Sequence, residues 1–268
     1  MRVDLHNHTY LCKHATGIME DYVQKAIDEK IDVFGFSDHN PMHLDKRHRM
    51  EDKYRVDYLY MFKDVQKQFE GQIKLMLGYE FDYLETAMNT EILKKDNLDY
   101  VIGSVHFIND FIVDDPKMIE AYKKRKDAFK NKDSDYLWNN YFEQLKDMAN
   151  TNLFDIVGHI DLVKLLTQEN PKKDIRLIAK DALKAIKKSG MAVEINAAGL
   201  RKAVKEQYPS IPLLEEIYSY DIPITFGSDA HALEHIGYKR DYCEKLAKDI
   251  GFTKCVYFEK REKIITDI

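Results

Sequence analysis

Cysteine is scarce in this chain of 268 residues, which contains only Cys12, Cys243 and Cys255. Their number is odd and their spacing is wide, so the sequence predicts neither a disulfide framework nor a paired-cysteine zinc site. A few unpaired thiols are typical of a reducing compartment, and we therefore expect a cytoplasmic protein.

The sequence also lacks long segments made only of apolar residues or only of basic residues. No stretch approaches the roughly 18 apolar residues of a membrane-spanning helix. The first residues, MRVDLHNHT, show neither the positive nor the apolar part of a leader. Lysine and arginine are scattered among acidic residues at a formal net charge of -5. We therefore expect no membrane partner and no nucleic-acid partner, and the oligomeric state stays open.

No segment rich in proline, glycine or serine divides the chain, so we predict one domain over residues 1–268. Short apolar segments alternate with amphipathic ones. The predicted strands are residues 3–6, 33–37, 73–80, 100–106, 155–159, 192–196, 224–228 and 255–258. The predicted helices are residues 18–30, 58–69, 118–130, 134–150, 174–189 and 211–220.

This alternation predicts a parallel sheet with helices outside it. The length is close to the about 250 residues of an eightfold α/β barrel, but about seven strand candidates are convincing. We therefore predict the α/β class, as a distorted (β/α)7 TIM-like barrel. Two consecutive helices predict a helical insertion near residues 116–152.

Histidines and carboxylates fall at the predicted C-terminal ends of successive strands. They are His6, His8, His39, Glu80, His106, His159, Asp229 and His231, and His14 lies in the first loop. These strand ends form the active-site face of an α/β barrel. Imidazole and carboxylate groups together bind divalent transition metals. Nine candidate ligands exceed the needs of one ion, so we predict two or three ions with bridging carboxylates.

Each candidate ligand also has a simpler interpretation. A single histidine at a strand end is usually a capping or surface residue, and His14 could be a solvated side chain in its loop. Glu80 could be only a polar strand end, and Cys12 is explained by ordinary packing. We expect Asp38 to orient an imidazole rather than to bind metal. The placement of nine such residues at one rim favours the metal site over these alternatives.

The same segments resemble the polymerase-and-histidinol-phosphatase (PHP) superfamily. The matching motifs are DLHNHT at 4–9, SDHN at 37–40, GYE at 78–80, GSVHF at 103–107, GHIDLVK at 158–164 and SDAH at 228–231. With EINAAGLRK at 194–202, the chain is most similar to the histidinol-phosphate phosphatase branch. The resemblance implies a barrel that hydrolyses L-histidinol phosphate to L-histidinol and phosphate in histidine biosynthesis.

The resemblance also implies three divalent ions, with zinc, manganese and iron as candidates. On matching positions, His6, His8, Glu80 and Asp229 would hold one ion. The second would be held by Glu80, His106 and His159, and the third by His14, His39 and His231.

Metal-activated hydroxide would then attack phosphorus, and the ions would neutralise the phosphate oxygens. Asp229 or His231 is the expected catalytic group that supplies a proton to the leaving alkoxide. We expect Arg201 to bind the phosphate, although it could be a solvated residue at a helix start. Asn196 and Ser104 are the expected further donors to the small-molecule substrate.

Several alternatives remain open at this point. The phosphatase could act on a nucleotide, a sugar phosphate or phosphotyrosine. An amidohydrolase barrel would carry a carbamylated lysine where this chain has Glu80. A non-catalytic metal-binding protein would close its sites with protein ligands. The polar loop at 41–55, with Arg47, Arg49 and Arg55, could cover the substrate or be merely solvated.

Overall fold

Eleven strands form in the part of the chain that the structure, a computed structural model, describes: residues 1–42, 44–85, 88–108, 111–124 and 134–268. They are β1 (Val3–Asp4), β2 (Val33–His39), β3 (Lys74–Asp82), β4 (Tyr100–Ser104), β5 (Phe107–Ile108), β6 (Phe111–Ile112), β7 (Ile156–Val157), β8 (Ala192–Asn196), β9 (Ile224–Gly227), β10 (Lys254–Glu259) and β11 (Glu262–Asp267).

Seven of these strands lie parallel in one sheet, in the order β1-β2-β3-β4-β7-β8-β9. All residues of β2 and β8 are buried, as expected for parallel strands that are covered on both faces. The amide of Leu5 donates to the carbonyl of Phe226 at 3.0 Å, and the amide of His8 donates to Ala230 at 2.9 Å. These bonds join the two edges, so the sheet is a nearly closed barrel and the predicted fold class is confirmed.

Ten α-helices surround the barrel or follow its strands in the described residues. They are α1 (Met19–Asp28), α2 (Arg55–Gln68), α3 (Glu91–Lys95), α4 (Pro116–Lys124), α5 (Ser134–Asn150), α6 (Val163–Thr167), α7 (Ile175–Ser189), α8 (Ala198–Arg201), α9 (Ile211–Ser219) and α10 (Arg240–Ile250). Among the described helices, none has both the length and the apolar character that crossing a membrane requires.

Helix α7 shows how the sequence forms these elements. Its buried face consists of small and branched apolar residues at helical spacing, including Ala179, Leu183 and Ile186. The helix begins where the Asp174 side chain accepts a hydrogen bond from a first-turn amide. It ends at Gly190, whose φ of 78° is the left-handed conformation of a helix C-terminus. The buried face packs against α5 and α9.

Four predicted strands end earlier than expected, namely β1, β4, β7 and β9. The changes in β4 and β7 affect the positions of two candidate ligands. Strand β4 ends at Ser104 rather than at residue 106, and β7 is reduced to Ile156–Val157. The amide of His159 donates to the Glu194 carboxylate at 2.6 Å instead of to a neighbouring strand. His106 and His159 therefore lie on the loops that leave the barrel, with their side chains turned towards its opening.

Strands β2 and β3 end two residues later than predicted, at His39 and Asp82, and further differences lie away from the rim. The predicted strand at 255–258 is β10, which pairs antiparallel with β11 outside the barrel sheet. The helix predicted at 118–130 begins two residues earlier, as α4, and residues 125–133 lie outside the described part of the chain. The single domain over 1–268, with a helical insertion near 116–152, stays a prediction.

The interior of the barrel depends on a close approach between Gly35 and Tyr100. A Cβ atom on Gly35 would lie 2.2 Å from the Tyr100 hydroxyl oxygen and 3.1 Å from the Cα atom of Leu5. That hydroxyl donates to the carbonyl of Leu5, so it links β4 to the end of β1. The tyrosine ring also lies against Gly78 of β3. Only residues without a side chain leave room for this ring.

We expect Gly35→Ala to lower the free energy of unfolding by about 1–3 kcal/mol, because the added methyl group overpacks a close-packed interior. Tyr100→Phe removes the hydroxyl oxygen that lies closest to the added methyl group. In that background Gly35→Ala should therefore lower the free energy of unfolding by less. Urea unfolding of both single variants and the double variant, at a fixed metal concentration, measures this coupling. Equal costs in the two backgrounds would contradict the proposed contact.

Candidate metal centre and active-site cavity

All nine candidate ligands meet at the C-terminal opening of the barrel. His6, His8, His39, Glu80, His106 and His159 are buried, Asp229 and His231 are partly buried, and His14 lies at the exposed rim. The parallel strands bring these positions together because their carboxyl ends meet at one edge. Residues that are more than 200 positions apart in the chain thus share one centre.

The Glu80 carboxylate lies in the middle of this cluster. Its Oε1 atom is 2.9 Å from His159 Nε2 and 3.4 Å from His106 Nε2. Its Oε2 atom is 3.1 Å from His39 Nδ1 and 3.3 Å from His6 Nε2. His8 Nε2 also lies 3.5 Å from Oε2. One carboxylate therefore presents one oxygen to two imidazoles and the other to three, which is the geometry of a bridging ligand.

Asp229 faces a second group of imidazoles. Its Oδ1 atom is 3.3 Å from His8 Nε2, 3.4 Å from His231 Nδ1 and 3.8 Å from His6 Nε2. The rings of His8 and His231 stack at 4.0 Å between centroids, and the His14 ring lies 4.5 Å from that of His231. Asp229 has a φ of 50°, a left-handed conformation that is rare outside glycine and concentrates at functional sites.

Several buried nitrogen atoms of the cluster lack a hydrogen-bond partner in the part of the chain that the structure describes, and this bears on whether the cluster fits divalent metal ions. Buried nitrogen atoms of His6, His8, His39 and His231 have no hydrogen-bond partner in the described residues. Each would cost about 1–3 kcal/mol if it stayed unsatisfied. Ligand atoms of His8, His39 and His231 lie within 4.8 Å of one another, and those of His6, His8 and Glu80 do too. These imidazole nitrogens and carboxylate oxygens fit divalent metal ions.

The carboxylates and some of the imidazoles already have the protonation that suits metal binding. Burial alone would raise the pKa of the Glu80 carboxyl, but neighbouring imidazoles outweigh it and hold that pKa well below its usual range. Asp229 is held low in the same way. Burial lowers the pKa of His39 and of His231 well below the ordinary value. At three other rings burial lowers the pKa, but nearby carboxylates outweigh it and raise that pKa above the ordinary value, so these rings must lose a proton when an ion binds; they are His6, His8 and His106. Anionic carboxylates and neutral imidazoles are the forms that ligate metals.

A second layer of carboxylates orients the imidazoles. Glu194 Oε2 is 2.8 Å from His6 Nδ1, and Asp82 Oδ1 is 2.6 Å from His106 Nδ1. In both cases the ring is fixed with its Nε2 atom towards Glu80. Asp38 Oδ1 lies 3.5 Å from His8 Nδ1, and the orienting role expected for Asp38 stays a prediction.

The sequence motifs did not identify Glu194, Asp82 and Arg49 as parts of this layer. Glu194 is a lone charge in the apolar strand β8, and Asp82 follows Glu80 at the spacing of two that places both on one face. These two signals could have identified them. Arg49 Nε and Nη2 bind the Asp82 carboxylate at 2.6 and 2.9 Å, from a loop that the sequence alone does not position.

A cavity of about 450 Å³ opens above the cluster, within the 300–1,000 Å³ range typical of small-molecule sites. Arg201, the expected phosphate-binding residue, is among the residues that line it. One guanidinium nitrogen of Arg201 donates to the carbonyls of Ser228 and Asp229 at 2.9 and 3.0 Å. The other terminal nitrogen, Nη1, is buried and has no hydrogen-bond partner in the described residues. It is available to an anion in the cavity.

Asn196 and Ser104 are not among the described residues that line this cavity. The Asn196 amide donates to Glu194 at 2.8 Å and accepts from the backbone of Ala198 at 2.8 Å, so both of its ends are used. Ser104 is buried with its hydroxyl close to Gly158. The expected substrate contacts of Asn196 and Ser104 therefore find no support in this arrangement.

Residues of the loop at 41–55 have distinct positions. Arg49 is buried beneath the cavity, as described above. Arg55 pairs with Asp96. Arg47 lies 3.6 Å from both Asp45 and Asp115 at the cavity mouth. The part of the loop nearest the cavity thus carries one arginine that supports the centre and another that borders the entrance.

We expect Glu194→Gln to weaken divalent-metal affinity by about 10- to 100-fold, because it removes the charge that orients the His6 ring. Competition with a coloured chelator measures the affinity. Glu91→Gln provides the matched control, since Glu91 forms an exposed ion pair with Lys95 on α3. Equal metal affinity in the Glu194 variant and the wild type would remove Glu194 from the supporting layer.

This chain is similar to known proteins of one family. The model of the PHP domain family matches residues 4–198. A probable histidinol-phosphatase of Deinococcus radiodurans is 33% identical over 92% of this chain and 93% of its own length. The histidinol-phosphatase of Bacillus subtilis is 26% identical, over 88% of this chain and 95% of its own.

A crystal structure shows the same fold. It is the histidinol phosphate phosphatase of Lactococcus lactis subsp. lactis, complexed with zinc, L-histidinol and phosphate. The two chains superpose with a TM-score of 0.78 and 21% identity over 98% of each. With the family model matched over most of its length, and the ligand motifs in place at the barrel rim, this chain belongs to the PHP domain family.

Proposed function

We propose that this chain is a metal-dependent phosphomonoesterase that hydrolyses L-histidinol phosphate to L-histidinol and phosphate, a step of histidine biosynthesis. The observation that carries the proposal is the Glu80-centred cluster, which opens into a cavity that also presents a free nitrogen of Arg201. The substrate is supported by relatives named histidinol-phosphatase, which align with 92% and 88% of this chain.

The proposed metal ligands are the nine residues expected from the sequence: His6, His8, His14, His39, Glu80, His106, His159, Asp229 and His231. We propose three divalent ions, with zinc, manganese or iron as candidates. The two-sided contacts of Glu80 and the separate group of His8, His39 and His231 support more than one ion. Zinc is the metal in the related Lactococcus structure.

When bound, the ions supply a water of lowered pKa and neutralise charge on the phosphate. The residues of the chain position the reaction. Arg201 Nη1 binds a phosphoryl oxygen, while its other bonds fix the guanidinium against the backbone of Asp229. Asp229 and His231 are the proposed catalytic residues. Because neighbouring imidazoles outweigh burial and hold its pKa low, Asp229 is an ionised carboxylate with no proton to give to the leaving alkoxide. Its proposed part is to accept a hydrogen bond that positions the attacking water.

The cavity also contains a negative group suited to the amine of the substrate. Asp45 and Asp115 line it but are engaged, by His48 at 2.8 Å and by Arg47 at 3.6 Å. Asp114 lines it too, and no hydrogen bond or ion pair to a described residue engages its carboxylate. An ammonium group on the substrate would supply its counter-charge. Sugar phosphates lack such a group, so Asp114 favours an amino-alcohol phosphate.

We expect Asp114→Asn to raise KM for L-histidinol phosphate about tenfold, since a hydrogen bond to a charged group contributes about 1.5–3 kcal/mol. KM for p-nitrophenyl phosphate, which has no ammonium group, should not rise. Steady-state kinetics gives KM for each of the two substrates, in the variant and in the wild type. Asp115→Asn is the control from the neighbouring position. A parallel rise of KM for both substrates in Asp114→Asn would contradict amine recognition.

The proposed function is tested by phosphate release from L-histidinol phosphate by metal-reconstituted protein. Phosphotyrosine peptide, a nucleoside monophosphate and a sugar phosphate serve as competitors, and a chelated sample serves as the blank. Preference for L-histidinol phosphate that is lost on chelation is the expected result. Turnover of the panel without this preference would reject the substrate, and no turnover by the metal-loaded protein would reject the phosphatase.

A further inference from the structure

Tyr208 lines the cavity, yet neither the metal cluster nor the sequence motifs account for it. Its side chain is only 1% exposed, and its hydroxyl has no hydrogen-bond partner in the described residues. Buried polar groups in proteins are nearly always hydrogen-bonded. A buried tyrosine hydroxyl that stays unpaired in the wall of an active-site cavity therefore indicates a ligand that completes it.

The tyrosine is held rigidly, so its hydroxyl cannot turn to another partner. Its backbone exchanges two hydrogen bonds with Asn196 of β8, at 2.7 and 3.0 Å. The ring packs on Gly199, where a Cβ atom would lie 3.0 Å from two ring carbons. The Lys164 ammonium lies 4.7 Å from the ring centroid. The backbone pairing with β8, the packing on Gly199 and the Lys164 ammonium thus hold the ring from three sides.

The surroundings of the hydroxyl identify the kind of group that it would meet. Arg201 and Asp229 line the same cavity as Tyr208. Apart from the metal-ligand histidines, Arg201 Nη1 is a second buried donor in this cavity that has no partner among the described residues. The Tyr208 ring also lies 6.2 Å from the ring of the metal-cluster residue His159. Two unpaired donors beside the cluster call for an acceptor that carries several oxygens, such as a phosphoryl group.

We propose that Tyr208 is a catalytic residue whose hydroxyl donates a hydrogen bond to a phosphoryl oxygen of the substrate, next to Arg201. The hydroxyl keeps its proton throughout. Its bond strengthens as negative charge spreads over the phosphoryl oxygens in the transition state. The inference rests on the proposed phosphomonoester hydrolysis but not on the histidinol part of the substrate.

The test is Tyr208→Phe, which removes one oxygen and keeps the packed ring. We expect kcat/KM to fall about 10- to 100-fold, the range set by one donor to developing charge. The inhibition constant for inorganic phosphate should rise about tenfold. Bound metal should be unchanged. The melting temperature should stay equal or rise, because a buried hydroxyl without a partner destabilises the metal-loaded, ligand-free protein.

Tyr22→Phe is the matched control with the opposite expectation. Tyr22 is equally buried, but its hydroxyl donates to the Thr16 carbonyl at 2.9 Å outside the cavity. Its loss should lower the melting temperature and leave phosphate inhibition unchanged. A purely structural role of Tyr208 would make the two variants behave alike.

An unchanged phosphate inhibition constant in Tyr208→Phe would overturn the proposal, as would a loss of activity that only follows a loss of metal. Calorimetric binding of inorganic phosphate to metal-loaded wild type and Tyr208→Phe needs no turnover. Its result therefore stands apart from the identity of the substrate. If the wild type failed on L-histidinol phosphate but bound phosphate through Tyr208, the proposed function would fail and this inference would hold.

Discussion

The burial of the Glu80 carboxylate among imidazoles is the constraint on which the rest of this structure depends. A lone carboxylate is expensive to remove from water unless partners replace its hydration. Glu80 is 1% exposed and has histidine nitrogens within 3.5 Å of both oxygens. These histidines come from the ends of β1, β2, β4 and β7, so the closed barrel is what assembles them.

The charges around this centre explain why it needs cations. Glu80, Asp229, Glu194 and Asp38 form no ion pair with a lysine or arginine among the described residues, and Arg49 is already paired with Asp82. Buried negative charge without a fixed positive partner is destabilising. Divalent ions held by the imidazoles neutralise it. The same ions attract a phosphate. The excess of buried negative charge therefore affects the stability of the fold, the binding of metal ions and, through those ions, the binding of the substrate.

Much of the barrel and of the metal cluster could be predicted from the sequence, because both follow local rules. Apolar segments of strand length predicted the seven parallel strands, and His6 and His8 share a face through the spacing of two. Other features depend on the path of the chain in space. Tyr208 reaches the cavity only because its segment returns to pair with Asn196, and nothing in its local sequence indicates this return.

The same limit explains the substrate-binding residues. Arg201 lines the cavity from the end of α8, the short helix that follows β8, and its binding of the phosphate stays a prediction. Asn196 is at a strand end, but its amide is used by Glu194 and Ala198. Whether a polar side chain at the rim faces the cavity or supports a neighbour depends on its hydrogen-bond partners, which the strand pattern does not specify. Asp114 likewise enters the cavity from a turn after β6.

The most direct test of this account is the metal content of Glu80→Gln, measured by elemental analysis together with phosphatase activity. A glutamine keeps the shape but loses the charge and one acceptor oxygen, so it cannot bridge ions. We expect fewer bound ions per chain than in the wild type and a loss of activity, in protein that remains folded. Full metal content with full activity would contradict the central role of Glu80.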